Sequence, residues 1–197
     1  MAPEATLFHR YERSTEKAFA GRGRPVGRGL AGFGANQLIG GGDGRGRARA
    51  LAAAGAAGVI VADLTPDEGA PFEAVAAEAG IAVVYLVAPT TAPDRRAMVA
   101  ARSGGFLYCV SLVGVTGART SLPPTLAKLV RDVKAVSPVP VAVGFGVSRP
   151  AHVRAIVRAG ADGVITASAL VDALGPDGRD VGALAGLVRR LRAATAK

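Results

Sequence analysis

Cysteine, histidine and tryptophan are nearly or wholly missing: one Cys (Cys109), two His, no Trp, and only three Tyr and six Phe in 197 residues. A single thiol cannot close an internal disulfide, which fits a reducing compartment. One Cys with His9 and His152 far apart cannot build a common zinc site, so no metal is expected. No run approaches the ~18 uninterrupted apolar residues of a membrane span. No apolar h-region follows Met1, so no secretory leader is expected and the chain reads as cytoplasmic. The formal net charge is +9, and residues 1–49 hold nine Lys and Arg against four Asp and Glu. Aromatics are not interleaved with these basic residues and no nucleic-acid motif is present, so nucleic acid is not an expected partner.

What remains is apolar and periodic. Half of the residues are hydrophobic, enough for a real core in a chain of one-domain length. From about Arg45 a helical stretch, a Gly, a short apolar strand and a loop recur. The strands read GVIVADL from Gly58, IAVVYLVAP from Ile81, GFLYCVSL from Gly105, VPVAVGFG from Val139 and GVITAS from Gly163. Each is rich in Val and Ile and continuous rather than alternating, as parallel strands covered on both faces are. Between them, PDEGAPFEAVAAEAG, APDRRAMVAARSG, PPTLAKLVRDVKAV and RPAHVRAIVRAG read as helices, several opening on Pro and most closing on Gly. VGALAGLVRRLRAATA reads as a terminal amphipathic helix.

Strand starts 23, 24, 34 and 24 residues apart make a βα ladder. Its fold class is α/β; such a ladder either closes as a barrel or stays open as a doubly wound sheet, and the length arithmetic favours the TIM (β/α)8 type. A full barrel takes about 250 residues, so an incomplete one of about six of eight βα units is expected, the first two being absent. Arg24 to Asn36 is a degraded sixth unit, too rich in Gly for a comfortable strand. Two regions follow: a poorly determined segment over 1–34 and a partial barrel over 35–197.

In such a barrel the strand C-termini converge on one face. Here they carry Asp63, then Ala88 to Thr91, then Tyr108, Ser111 and the GVTG loop, then Gly144-Phe145-Gly146, then Thr166-Ala167-Ser168. Small residues leave backbone N–H groups bare, and bare N–H groups at strand ends and helix starts bind phosphate. The last two loops are where a barrel's phosphate site usually sits.

These segments, in this order, resemble the alpha chain of tryptophan synthase: ADLTPDEGAPF, YLVAPTT, GFLYCVSLVGVTGART, VPVAVGFGVSRP and AGADGVITASALV, with a fainter match in ANQLIGGGDGRGRARALAAAG from Ala35. The resemblance implies a (β/α)8 barrel that cleaves indole-3-glycerol phosphate to indole and glyceraldehyde 3-phosphate. It implies no cofactor on this chain and a partner beta chain that carries pyridoxal phosphate. It places Gly117, Gly144, Gly146, Ala167 and Ser168 around the substrate phosphate. Tyr108 falls in the indole pocket, and Thr116 on a loop that folds over the site. Ala35, Asn36 and Asp63 fall at the beta-chain interface. Two departures stand out. Ala167 replaces a usual Gly, and its methyl is expected to weaken phosphate binding. The family's acid/base carboxylates, in a stretch resembling E-x-G-x-P-x-S-D-P, have no counterpart here, so no catalytic residue is assigned and impaired lyase activity is expected. The alternatives are a different phosphate-binding barrel enzyme with Asp63 or Glu68 as base, and a non-catalytic fragment that docks on the beta chain.

Several residues also admit plain structural readings. Cys109 reads as a buried small hydrophobe. Asp63 reads equally as an N-cap for the TPDE turn. Asp162 precedes its strand and reads as structural, and His152 reads as an exposed helix residue.

Overall fold

The computed structural model describes residues 30–34, 44–111 and 122–196. The chain forms two compact units, Met1–Val84 and Tyr85–Lys197. The first holds β1 (Leu30–Gly34), α1 (Gly44–Ala53), β2 (Gly58–Val61), α2 (Pro66–Glu78) and β3 (Ala82–Val84). Its strands form one parallel sheet in the order β1-β2-β3. The second unit holds β4 (Leu86–Val87), α3 (Pro93–Arg102), β5 (Leu107–Val110), α4 (Leu126–Val136), β6 (Val141–Gly144), α5 (Pro150–Arg158), β7 (Gly163–Val164), α6 (Ser168–Ala173) and α7 (Val181–Ala193). Its sheet is parallel throughout, in the order β4-β5-β6-β7.

All five expected strands are present, and a sixth βα unit stands where the degraded one was expected. Gly-rich as it is, the stretch expected to hold the degraded unit forms β1 over Leu30–Gly34. Its pairing with β2 shifts register between Ala31 and Phe33, which leaves Gly32 as the extra residue of a bulge. Glycine supplies the backbone freedom that a bulge needs. The run from Ile81 holds two short strands rather than one. At the break, the Tyr85 N–H donates to Ser103 Oγ (2.9 Å), a buried side-chain acceptor in place of a strand.

The helix boundaries follow their local chemistry. Pro66, Pro93 and Pro150 open α2, α3 and α5, where the missing N–H costs nothing. Asp67 and Glu68 sit in the first turn of α2, beside the positive end of its dipole. At the other end, the Gly80 N–H bonds the Ala77 carbonyl (3.0 Å) and the Ile81 N–H the Ala76 carbonyl (2.8 Å). This is a Schellman cap, with Gly80 at φ +71°. The α5 end repeats it with Gly160 at φ +98°. A helix, a left-handed Gly and a strand are therefore one continuous turn of structure.

In the second unit every residue of β5 is buried, as are Val141, Val143 and Gly144 of β6. From α4, Leu126, Leu129, Val130 and Val133 are buried, the i, i+3, i+4, i+7 stripe of a helix laid on a sheet. Asp162, expected to be structural, ties the N-terminal strand ends together. Its Oδ2 accepts from the Val141 N–H (2.7 Å), and Lys134 Nζ donates to both carboxylate oxygens (2.7 and 2.8 Å). No helix among the described residues is long and apolar enough to cross a membrane.

Candidate functional site

The site expected at the strand C-termini begins with Tyr108 on β5. Its partner in register on β6 is Ala142, and Val110 pairs with Gly144. Parallel strands one pleat apart thus bring the Tyr108 ring against Gly144. A methyl on Gly144 would overlap that phenol, coming 2.5 Å from Cε2 and 2.7 Å from Cζ. Glycine at 144 therefore has a packing reason besides any ligand. Tyr108 is 3% exposed, and burial pushes its hydroxyl up to about pH 12. It is a neutral phenol at physiological pH, able to donate a hydrogen bond and unable to serve as a base. Next to it Cys109 is fully buried. Burial holds its thiol at about 12, against a weaker opposing pull from Arg96. It is an inert core residue, as expected.

Past the end of β6 the backbone turns through two left-handed residues, Phe145 (φ +72°) and Gly146 (φ +69°). Gly146 takes that conformation without strain; Phe145 does not. Ser111, directly after β5, holds the turn. Its N–H donates to the Gly144 carbonyl (2.9 Å) and its Oγ to the Phe145 carbonyl (2.5 Å). The Phe145 ring lies 6.4 Å from that of Tyr108, tilted by 43°. Among the described residues the N–H groups of Phe145, Gly146 and Val147 meet no acceptor. The Ser148 N–H donates to His152 Nδ1 (3.3 Å).

This contact corrects the reading of His152 as exposed. It is 4% exposed, on the face of α5 that also buries Val153 and Ile156. The signal was in the sequence: His152 and Ile156 are four apart, one turn of one helical face.

The β7 loop leaves beside the β6 loop. The Ile165 N–H extends the pairing to the Val143 carbonyl (2.8 Å), and Ala167 then becomes the N-cap residue of the short α6. Ala167 has φ −130°, so the backbone there does not itself require glycine. Ala167 and Ser168 are both exposed. The six residues of α6 begin at Ser168 with neither a Pro at the start nor a Gly before it, so the sequence carries no strong start signal for this helix.

Other candidates lie apart from this group. Thr116 and Gly117 of the GVTG loop, and Ala35 and Asn36, fall outside the described residues. Asp63 is exposed in the turn after β2, in the first unit. It does not cap α2: Thr65 holds the N-cap position, without a side-chain cap bond. Among the described residues no group of His, Cys, Asp and Glu is arranged to hold a metal ion.

A parallel α/β chain with bare loops at its last two strand ends is a partial (β/α)8-type fold, and known proteins extend that description. The family model for the tryptophan synthase alpha chain matches residues 42–192. The tryptophan synthase alpha chain of Methanothermobacter thermautotrophicus is 45% identical over 120 residues, 61% of this chain and 44% of its own length. That of Gloeobacter violaceus is 43% identical over 144 residues, 72% of this chain and 52% of its own. A solved tryptophan synthase a2b2 complex from Pyrococcus furiosus superposes with a TM-score of 0.73 at 38% identity, covering 79% of this chain and 63% of that one. The chain belongs to the tryptophan synthase alpha chain family. It spans about half the length of the curated relatives it matches.

Proposed function

We propose that this chain carries the phosphate-gripping half of a tryptophan synthase alpha-type lyase site. The substrate is indole-3-glycerol phosphate, and the reaction is retro-aldol cleavage to indole and glyceraldehyde 3-phosphate. The observation that carries this reading is the left-handed turn at Phe145 and Gly146. There, consecutive amides meet no acceptor among the described residues, beside the equally bare Thr166–Ser168 loop. Backbone amides of this kind satisfy an anion's oxygens without carrying charge of their own. Gly146 and Ser168 would contact the phosphate, with Gly117 and Thr116 closing from the GVTG loop and Tyr108 walling the indole side. Gly144 contributes by giving Tyr108 room.

Cleavage requires a proton at indole C3 and a group to manage charge at the ring nitrogen, the work of paired carboxylates. No stretch of this sequence matches the family's carboxylate motif. Tyr108 and Cys109 cannot substitute as bases, since burial keeps both protonated. We infer that the chain binds phosphate and turns over slowly or not at all. Its expected partner is a beta chain, docked through Ala35, Asn36 and Asp63. Pyridoxal phosphate belongs to that partner, and a cytoplasmic location follows from the same reading.

The test is indole release from indole-3-glycerol phosphate, with and without added beta chain, alongside an alpha chain that carries the carboxylate motif. Turnover at least a thousandfold below that reference is expected, on the order of the loss when acid/base groups are removed. Comparable turnover would refute the impairment.

A further inference from the structure

We propose that Ser111 is a positioning residue for the turn after β6, locking Phe145 in the left-handed conformation that presents the following amides to an anion. This rests on the reading of that turn as a phosphate grip. A phenylalanine at φ +72° sets its Cβ against the following carbonyl, an arrangement that non-glycine residues avoid. Such a conformation persists only where the surroundings over-determine it. Ser111 supplies that determination from both sides. Its N–H fixes the Gly144 carbonyl (2.9 Å), the peptide before Phe145, and its Oγ fixes the Phe145 carbonyl (2.5 Å), the peptide after it. With both flanking peptide planes held, φ and ψ of Phe145 are both set. Ser111 is 1% exposed, so water does not compete for these bonds. The backbone bond is open to any residue; the second requires a hydroxyl, which only Ser or Thr would supply in that volume.

The test compares the full chain with Ser111→Ala and Ser111→Thr by two readouts. The first is the Phe145 φ in ligand-free protein, from NMR couplings and chemical shifts. The second is titration with glycerol 3-phosphate. Ser111→Ala is expected to move Phe145 out of the positive-φ region and to weaken binding by about three- to tenfold, the worth of one buried hydrogen bond. Ser111→Thr is expected to restore both. Phe145→Gly, which reaches the left-handed region unaided, gives a second check: in that background the binding loss from Ser111→Ala should shrink towards nothing. An unchanged positive φ in Ser111→Ala, or an equal binding loss in both backgrounds, would overturn the proposal. A wild-type chain that keeps its Ser111-dependent φ yet binds no glycerol 3-phosphate would overturn the phosphate reading alone, because the conformational readout supports the Ser111 hold independently.

Discussion

Gly144 lacks a side chain where the Tyr108 phenol fills the space one would need. Gly144→Ala is therefore expected to force a rigid, buried ring aside, at about 1–3 kcal/mol of stability, read from the midpoint of urea unfolding. A change below a few tenths of that would mean the ring relaxes freely. Ala167 poses the opposite question. Its methyl replaces a hydrogen beside a candidate anion, in a backbone conformation that accepts either residue. Ala167→Gly is expected to tighten glycerol 3-phosphate binding several-fold, and unchanged affinity would show that the methyl points clear of the ligand. At this scale the sequence was only partly legible. Gly146 could be read as a left-handed turn residue because glycine advertises that role. Phe145 could not, since nothing in a phenylalanine announces a positive φ that comes from Ser111, 34 residues away. His152 looks exposed in the sequence because a polar side chain on an apolar stripe reads as an interruption, whereas in the fold it accepts from the Ser148 N–H.

Among the elements, α3 and α4 are joined by a charge cluster. Asp132 receives Lys128 Nζ at 2.7 Å from one turn earlier and Arg96 from α3 at 3.2 Å. The hydrogen bond from Lys128 is the largest influence, and with Arg96 it holds the Asp132 carboxyl below the ordinary carboxylate range, against a smaller opposing effect of burial. A carboxylate that is more acidic folded than unfolded stabilises the fold above its unfolded pKa. That contribution disappears as pH falls through the lower folded value. Asp132→Asn is expected to flatten the acid limb of the stability–pH curve, measured by thermal melts over a pH series; an unchanged acid limb would remove the cluster from the account. At the opposite end of the strands, Asp162 joins α4, β6 and the start of β7 through Lys134 and the Val141 N–H. Asp162→Ala is expected to cost about 1–2 kcal/mol, mostly through the stranded Val141 N–H, because the ion pair is half-exposed and screened. Element order was the most legible feature of the sequence. Pro at helix starts and left-handed Gly at their ends, as at Gly80 and Gly160, are local signals that need no tertiary context. β1 and the split at Tyr85 were less so. The β1 bulge is a property of a pair of strands, and the break depends on Ser103 reaching back to Tyr85.

Across the whole molecule, charge is divided unevenly. Residues 1–84 hold nine Lys and Arg against nine Asp and Glu, whereas residues 85–197 hold fifteen against six. The entire surplus of nine thus lies in the unit that carries the candidate phosphate loops. A net field of one sign raises the local concentration of an anionic substrate and is screened by salt. Family membership was legible because GVTG and Gly-Phe-Gly occur in a fixed order on a βα ladder. What the sequence could not supply was the hold that one strand end exerts on the next. The central claim is that the loops after β6 and β7 grip a phosphate ester. Its most direct measurement is an NMR titration of the labelled, folded chain with glycerol 3-phosphate. Saturable shifts confined to the amides of Gly146, Val147 and Ser168, weakening as salt is raised, are the expected result. Amides that stay unmoved to millimolar ligand in a folded chain would contradict the claim.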